Sequence, residues 1–182
     1  MIVLGIHDGH NCGVSLFKDN KLLFAISEER ISRKKNEYGF PYNSIKYCLK
    51  KYEIKKKDID RIAVSTINLP PKYFAVKRNT SFKISDYLQE QEKYWFPKIY
   101  KKKKIKYLDI FKKKILSKKE IFYDLKSIKH EDDFINMKKI ILDLISNFFK
   151  IEKKKVKFFD HHKCHAYYGY YSSNYQKKNN LA

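Results

Sequence analysis

Two short stretches of this chain hold residues whose types and spacing could do chemistry. The first is His161-His162-Lys163-Cys164-His165. If a helix begins at Asp160, a good N-cap residue, His161 and His165 lie one turn apart on one face. Two neutral imidazoles so placed can share one divalent transition-metal ion, the device used by zinc peptidases in HExxH. The residues between them here include no glutamate, so the peptidase reading fails. The competing reading is structural, with the histidines capping a helix and lining a polar pocket. Three histidines within five residues, in a chain with six, add weight to the metal reading, and both readings stay open.

The second stretch is the polar turn His7-Asp8-Gly9-His10-Asn11. Such turns present groups to a ligand from a rigid scaffold, and glycine lets backbone approach closely. Asp8, Gly9 and Asn11 are therefore candidate substrate- or nucleotide-binding residues, against the alternative of an ordinary glycine-containing hairpin. Arg30 and Arg33, in the charged stretch that follows, could clamp a phosphate or carboxylate, or belong to a solvated turn.

The elements around these stretches decide where they sit. Residues 2–6, IVLGI, read as a fully buried strand. GVSLFKD follows, with Val14, Leu16 and Phe17 on or near the buried side. After the Asp19-Asn20 turn comes KLLFAISEER, completing an antiparallel meander. Ile45, Cys48, Leu49 and Tyr52 then recur at helical spacing, and IAVST gives a strand that stops at Pro70-Pro71. Residues 130–133 look like a helix entry. From Phe134 to Phe149 the apolar residues repeat at three and four, the strongest helical pattern in the chain. A short connection leads into the strand VKFF and the histidine helix. The tyrosines at 167, 168, 170 and 171 read as core and rim, with Ala166 and Gly169 permitting close packing on the sheet.

This order predicts a mixed α/β fold: a ribonuclease-H-like unit of the kind that forms each half of actin-like ATPases. Three antiparallel strands come first, and helices flank the sheet. Ligands of such sheets bind beyond strand ends, where both stretches would fall. The chain is expected to form a single domain, 1–182, with a lysine-rich helical insertion at about 72–129.

The composition sets further bounds. The 182 residues carry 41 Lys+Arg against 20 Asp+Glu, a formal charge of +21. Such an excess suggests a basic nucleic-acid-binding module using the lysines at 101–104 and 112–114 and their aromatic neighbours. Few arginines, with abundant Lys, Ile, Asn, Tyr and Phe, instead indicate A/T-rich codon usage, and lysine-rich helix faces are usually solvated. Three dispersed cysteines give no disulfide framework, consistent with a cytoplasmic setting. No apolar run has the length of a membrane span or a signal peptide.

The blocks GIHDGHNCGVSLFKDNKLLFAISEERISRKKNEYGFP and DHHKCHAYYGYYSS resemble the amino-terminal part of the carbamoyltransferases that include nodulation protein NodU and the antibiotic O-carbamoyltransferases. The middle region carries little of the likeness. The resemblance implies a Kae1-like domain in which His161 and His165 hold a divalent metal, iron (Fe2+) in particular. ATP and carbamoyl phosphate would yield carbamoyl adenylate, and His10 would act as base toward the hydroxyl of a small acceptor. Family members are far longer. The resemblance thus implies that a third, aspartate ligand, further nucleotide contacts and a YrdC-like adenylate-forming domain lie outside these residues. The chain is expected to be inactive alone, as a fragment or as one half that needs the other in trans.

Overall fold

A computed structural model describes residues 1–65, 78, 82–115, 123–124, 127–129 and 135–173. Its body is a five-stranded mixed sheet in the order β3-β2-β1-β4-β5. Strands β1 (Ile2–His7), β2 (Gly13–Lys18) and β3 (Lys21–Ser27) form the expected antiparallel meander. The turn between β2 and β3 places Asp19 and Asn20 at φ 50° and 64°, the left-handed pair that a two-residue type I′ hairpin requires. Strands β4 (Arg61–Val64) and β5 (Val156–Phe158) add in parallel on the other side of β1. This is the ribonuclease-H-like α/β arrangement that the order of elements predicts.

The register explains the core. Leu4 pairs with Leu16 and Ile62, and Ile6 with Val14 and Val64, so alternate residues of adjacent strands point to one face and are buried there. Strand β1 is therefore not buried on both faces as its apolar run suggests: Val3 and Gly5, out of phase with Leu4 and Ile6, are only half-buried. The same alternation carries Phe17 away from Leu16 and leaves it exposed, contrary to the sequence reading.

Six helices complete the described structure. A single turn, α1 (Glu29–Ser32), leaves β3 and was not foreseen; four residues are too few for a periodic signal. Helix α2 (Tyr42–Lys51) buries Ile45, Cys48 and Leu49 and packs on β2, and the Tyr52 hydroxyl just beyond it donates to the Leu23 carbonyl at 2.7 Å. Helix α5 (Met137–Phe149) buries Met137, Ile141, Ile145 and Phe149, packs on β5, and sets Phe148 edge-on to Phe40 and Tyr42. Between β4 and α5, helix α3 (Ile84–Glu90) continues through a π turn, Gln91–Trp95, into a last α turn, Phe96–Ile99, and packs near α4 (Tyr107–Ile115). The lysines at 101–104 are exposed. The last helix, α6 (His161–Ser172), follows β5. Pro70-Pro71, residues 130–133 and Phe134 lie outside the described residues. No described helix is long and apolar enough to cross a membrane.

One expectation for α6 fails. None of its residues is buried: Tyr167, Tyr168 and Tyr171 are exposed, Tyr168 at 72%, and an added Cβ on Gly169 would meet nothing within 4 Å. The helix carries tyrosines on several sides instead of one apolar stripe, so no single face drives it onto the sheet. It follows β5, and none of its tyrosines belongs to the core, Tyr170 alone being half-buried.

Candidate functional site at the carboxyl edge of the parallel strands

Strands β1, β4 and β5 run in parallel and end side by side, at His7, Val64 and Phe158. Backbone pairing continues past the strand ends, with Ser65 N–H donating to the Ile6 carbonyl at 3.0 Å and Phe159 N–H to the Val64 carbonyl at 2.8 Å. The three edges are thereby held in register where the chain turns into the polar loop and into α6.

Asp160 caps α6 as its residue type suggests, its carboxylate accepting from the Lys163 N–H at 3.0 Å. That hydrogen bond holds the carboxyl below the usual aspartate range. One turn on, His161 and His165 bring their Nε2 atoms to 3.0 Å, the rings edge-on at 89°. Two nitrogens bound to one metal at about 2.0–2.1 Å, and subtending about 90–109°, lie about 2.9–3.4 Å apart. The pair therefore fits as adjacent ligands of a single ion. The same distance also suits an Nε2–H···Nε2 hydrogen bond between neutral rings. Among the described residues no group of three or more His, Cys, Asp or Glu converges as a metal cluster. Cys164 lies between the two histidines in sequence, its thiol pushed up by burial and by Asp160.

The polar loop between β1 and β2 comes to the same place. His7 stacks on His161 with ring centroids 5.1 Å apart and planes inclined by 29°. Its Nε2 lies 3.0 Å from the His10 carbonyl and its Nδ1 2.8 Å from Ser65 Oγ. His10, Gly9 and Asn11 are on the open side of the loop, and Asn11 adopts a left-handed φ of 57° that asparagine tolerates. The other side is tied down: Cys12 N–H donates to the Glu37 carbonyl at 2.9 Å, Gly39 N–H to the Asp8 carbonyl at 3.1 Å, and His10 bridges Tyr38.

The sequence-selected residues separate into groups. His10, His161 and His165 belong to one edge, joined through His7, with Gly9 and Asn11 beside them. Asp8 is buried, and its carboxylate accepts from the Tyr123 hydroxyl at 2.7 Å, which ties the loop down from within. Arg30 and Arg33 are exposed around the end of α1, and among the described residues neither is hydrogen-bonded to the loop. Cys12, inside the loop, is buried, and desolvation with the carboxylates of Glu28, Glu37 and Asp8 pushes its thiol far up.

Sequence reasoning missed Glu28, Ser65 and the part played by His7. Helix α2 begins after Pro41, which offers no side-chain acceptor; the buried Glu28 carboxylate fills the gap, accepting from the backbone N–H groups of Asn43 at 2.9 Å and Ser44 at 2.7 Å and from Asn43 Nδ2 at 2.8 Å. A carboxylate suits a helix N-terminus, and Glu28 N–H also donates to the Cys12 carbonyl at 2.8 Å, so the loop and α2 are locked together. A prolyl N-cap is the one sequence signal that an acceptor must come from elsewhere.

The mixed sheet thus gathers a polar loop and paired imidazoles at the carboxyl ends of its parallel strands, the edge at which open α/β sheets bind ligands. The chain belongs to the carbamoyltransferase family: residues 2–182 match the model described as carbamoyltransferase N-terminus. Its relatives include an uncharacterized protein of Methanocaldococcus jannaschii, 47% identical over 66 residues, which are 36% of this chain and 12% of the relative. A Synechocystis protein is 40% identical over 53 residues, 29% of this chain and 9% of the relative. A 19.2 kDa protein of Rhizobium etli is 39% identical over 54 residues, 30% of this chain and 32% of the relative. The matched stretches thus span less than a third of each of these curated relatives.

Proposed function

We propose that this chain supplies part of the transfer site of an O-carbamoyltransferase related to NodU, with a Kae1-like fold, in which a carbamoyl group passes from carbamoyl adenylate to a substrate hydroxyl. The observation that carries the reading is convergence: the His10 loop and the His161–His165 pair come from opposite ends of the chain and meet through His7.

His10, on the open side of the loop, takes the proton of the acceptor hydroxyl. The hydroxyl oxygen bonds to the carbamoyl carbon, the carbon–oxygen bond to the adenylate phosphate breaks, and AMP leaves with the electron pair. Gly9 and Asn11 let the backbone of the loop approach the nucleotide, while Asp8 and Glu28 hold the loop from behind. His161 and His165 would hold a divalent metal, Fe2+ by family resemblance, which when bound offsets negative charge on the adenylate phosphate. Remaining ligands, the acceptor pocket and the machinery that makes carbamoyl adenylate from ATP and carbamoyl phosphate would come from polypeptide outside these residues, which can be supplied in trans.

Thermal unfolding with Fe2+, Mn2+ or Zn2+ tests the site. A ligand at 100 times its Kd stabilises the folded state by about 2.7 kcal/mol, so a clear rise in Tm is expected, lost in His161→Ala and in His165→Ala. No shift with any of the three ions, or a shift indifferent to both substitutions, sinks the reading.

A further inference from the structure

We propose that His7 is a positioning residue that sets the spacing between the His10 loop and the His161–His165 pair; this rests on the functional reading above. The assignment follows from the chemistry of its three contacts. A carbonyl oxygen only accepts, so the 3.0 Å contact with His10 requires the proton on Nε2. In the neutral ring Nδ1 is then the acceptor, and the Ser65 hydroxyl donates to it at 2.8 Å. Both nitrogens are committed, and the face of the ring remains to pack on His161 at 5.1 Å. His7 thus acts from outside the coordination of any ion held by the pair.

Gly9 supplies an independent observation. A Cβ built there would lie 2.8 Å from His7 Cε1, closer than side chains tolerate. The loop closes over the imidazole because residue 9 has no side chain, so ring and loop are fitted to each other. Outer groups that orient a ligating imidazole typically govern metal affinity by about 10–100-fold. His7 does so through its face while holding the reacting loop through its edge, which couples the position of His10 to that of His161.

Two variants separate these contacts. His7→Ala removes all of them; His7→Phe keeps a ring face for His161 but loses both hydrogen bonds. Co2+ binding to the 182-residue chain is followed by its visible absorption and by calorimetry, with amide exchange of residues 9–11 measured in parallel. His161→Ala should abolish binding, His7→Ala should weaken it about 10-fold or more, and His7→Phe should stay within about 3-fold of wild type. Exchange at residues 9–11 should accelerate about 10-fold in both His7 variants. Wild-type affinity in His7→Ala, or a His7→Phe defect as large as that of His161→Ala, overturns the assignment, the latter making His7 a ligand. If the wild-type chain binds no Co2+, the metal reading fails by itself, and unchanged exchange in the His7 variants would then overturn the positioning role separately.

Discussion

Helices α5 and α3 solve opposite problems. Helix α5 turns Met137, Ile141, Ile145 and Phe149 into the core and, of its polar residues, buries Ser146 alone. Helix α3 and its continuation do the reverse: Asp86, Glu90 and Tyr94 are buried while Ile84, Leu88, Phe96 and Ile99 are exposed, Ile84 at 81%. Inside, Glu90 accepts from Arg78 Nε at 2.9 Å and Nη2 at 2.7 Å and from the Tyr107 hydroxyl at 2.7 Å, while Asp86 pairs with Lys114. The Tyr107 phenol is pushed far up by burial and by Glu90. The sheet body is held mainly by non-directional apolar burial; α3 instead turns charge pairs inward, beside the buried Leu108, Phe111 and Ile115 of α4. Apolar periodicity therefore marks the buried face in one and the exposed face in the other.

That contrast can be broken by mutation. Leu16→Ala, at a fully buried site on the central hairpin, should cost about 3–4 kcal/mol in denaturant unfolding and lower every probe together. Glu28→Ala should cost about 2–3 kcal/mol, because two backbone donors of α2 and one side-chain donor lose their acceptor. Glu90→Ala should cost about 2 kcal/mol, less than a fully buried pair because Arg78 reaches solvent, and it should disturb Trp95 fluorescence while leaving amide protection in β1 unchanged. Replacing Arg78, Glu90 and Tyr107 together by Met, Met and Phe should recover most of that loss; a triple variant weaker than Glu90→Ala would show that the charge pairs outweigh their desolvation.

Smaller effects sharpen the comparison. Lys114, then the Lys83 N–H, hold the Asp86 carboxyl below its usual range. A carboxyl lowered by folding stabilises the folded state above its ordinary pKa, and that contribution disappears as pH falls through the lowered value. Near-ultraviolet dichroism of this region should therefore have an acid limb below about pH 4 that Asp86→Asn diminishes. Leu88→Ser should change stability by less than about 0.5 kcal/mol, since its side chain is already in water; a loss above 1 kcal/mol would contradict that exposure.

Much of this was written in the linear chain. Period-two and period-three-to-four patterns set the strands and the two helices on the sheet, the Asp19-Asn20 pair set the hairpin, and Asp160 with His161 and His165 set the capped helix and its imidazole pair. Those are local properties, decided by backbone sterics and side-chain spacing within a few residues. The fold decided the rest: that Asp8 turns inward to Tyr123, that Tyr167, Tyr168 and Tyr171 of α6 stay exposed, that Glu28 caps a helix begun by a proline, and that α3 hides its acids. Above all it decided that His7 touches Ser65, His10 and His161 at once. Such contacts depend on which strand ends are neighbours, and parallel pairing brings together edges that the sequence holds far apart.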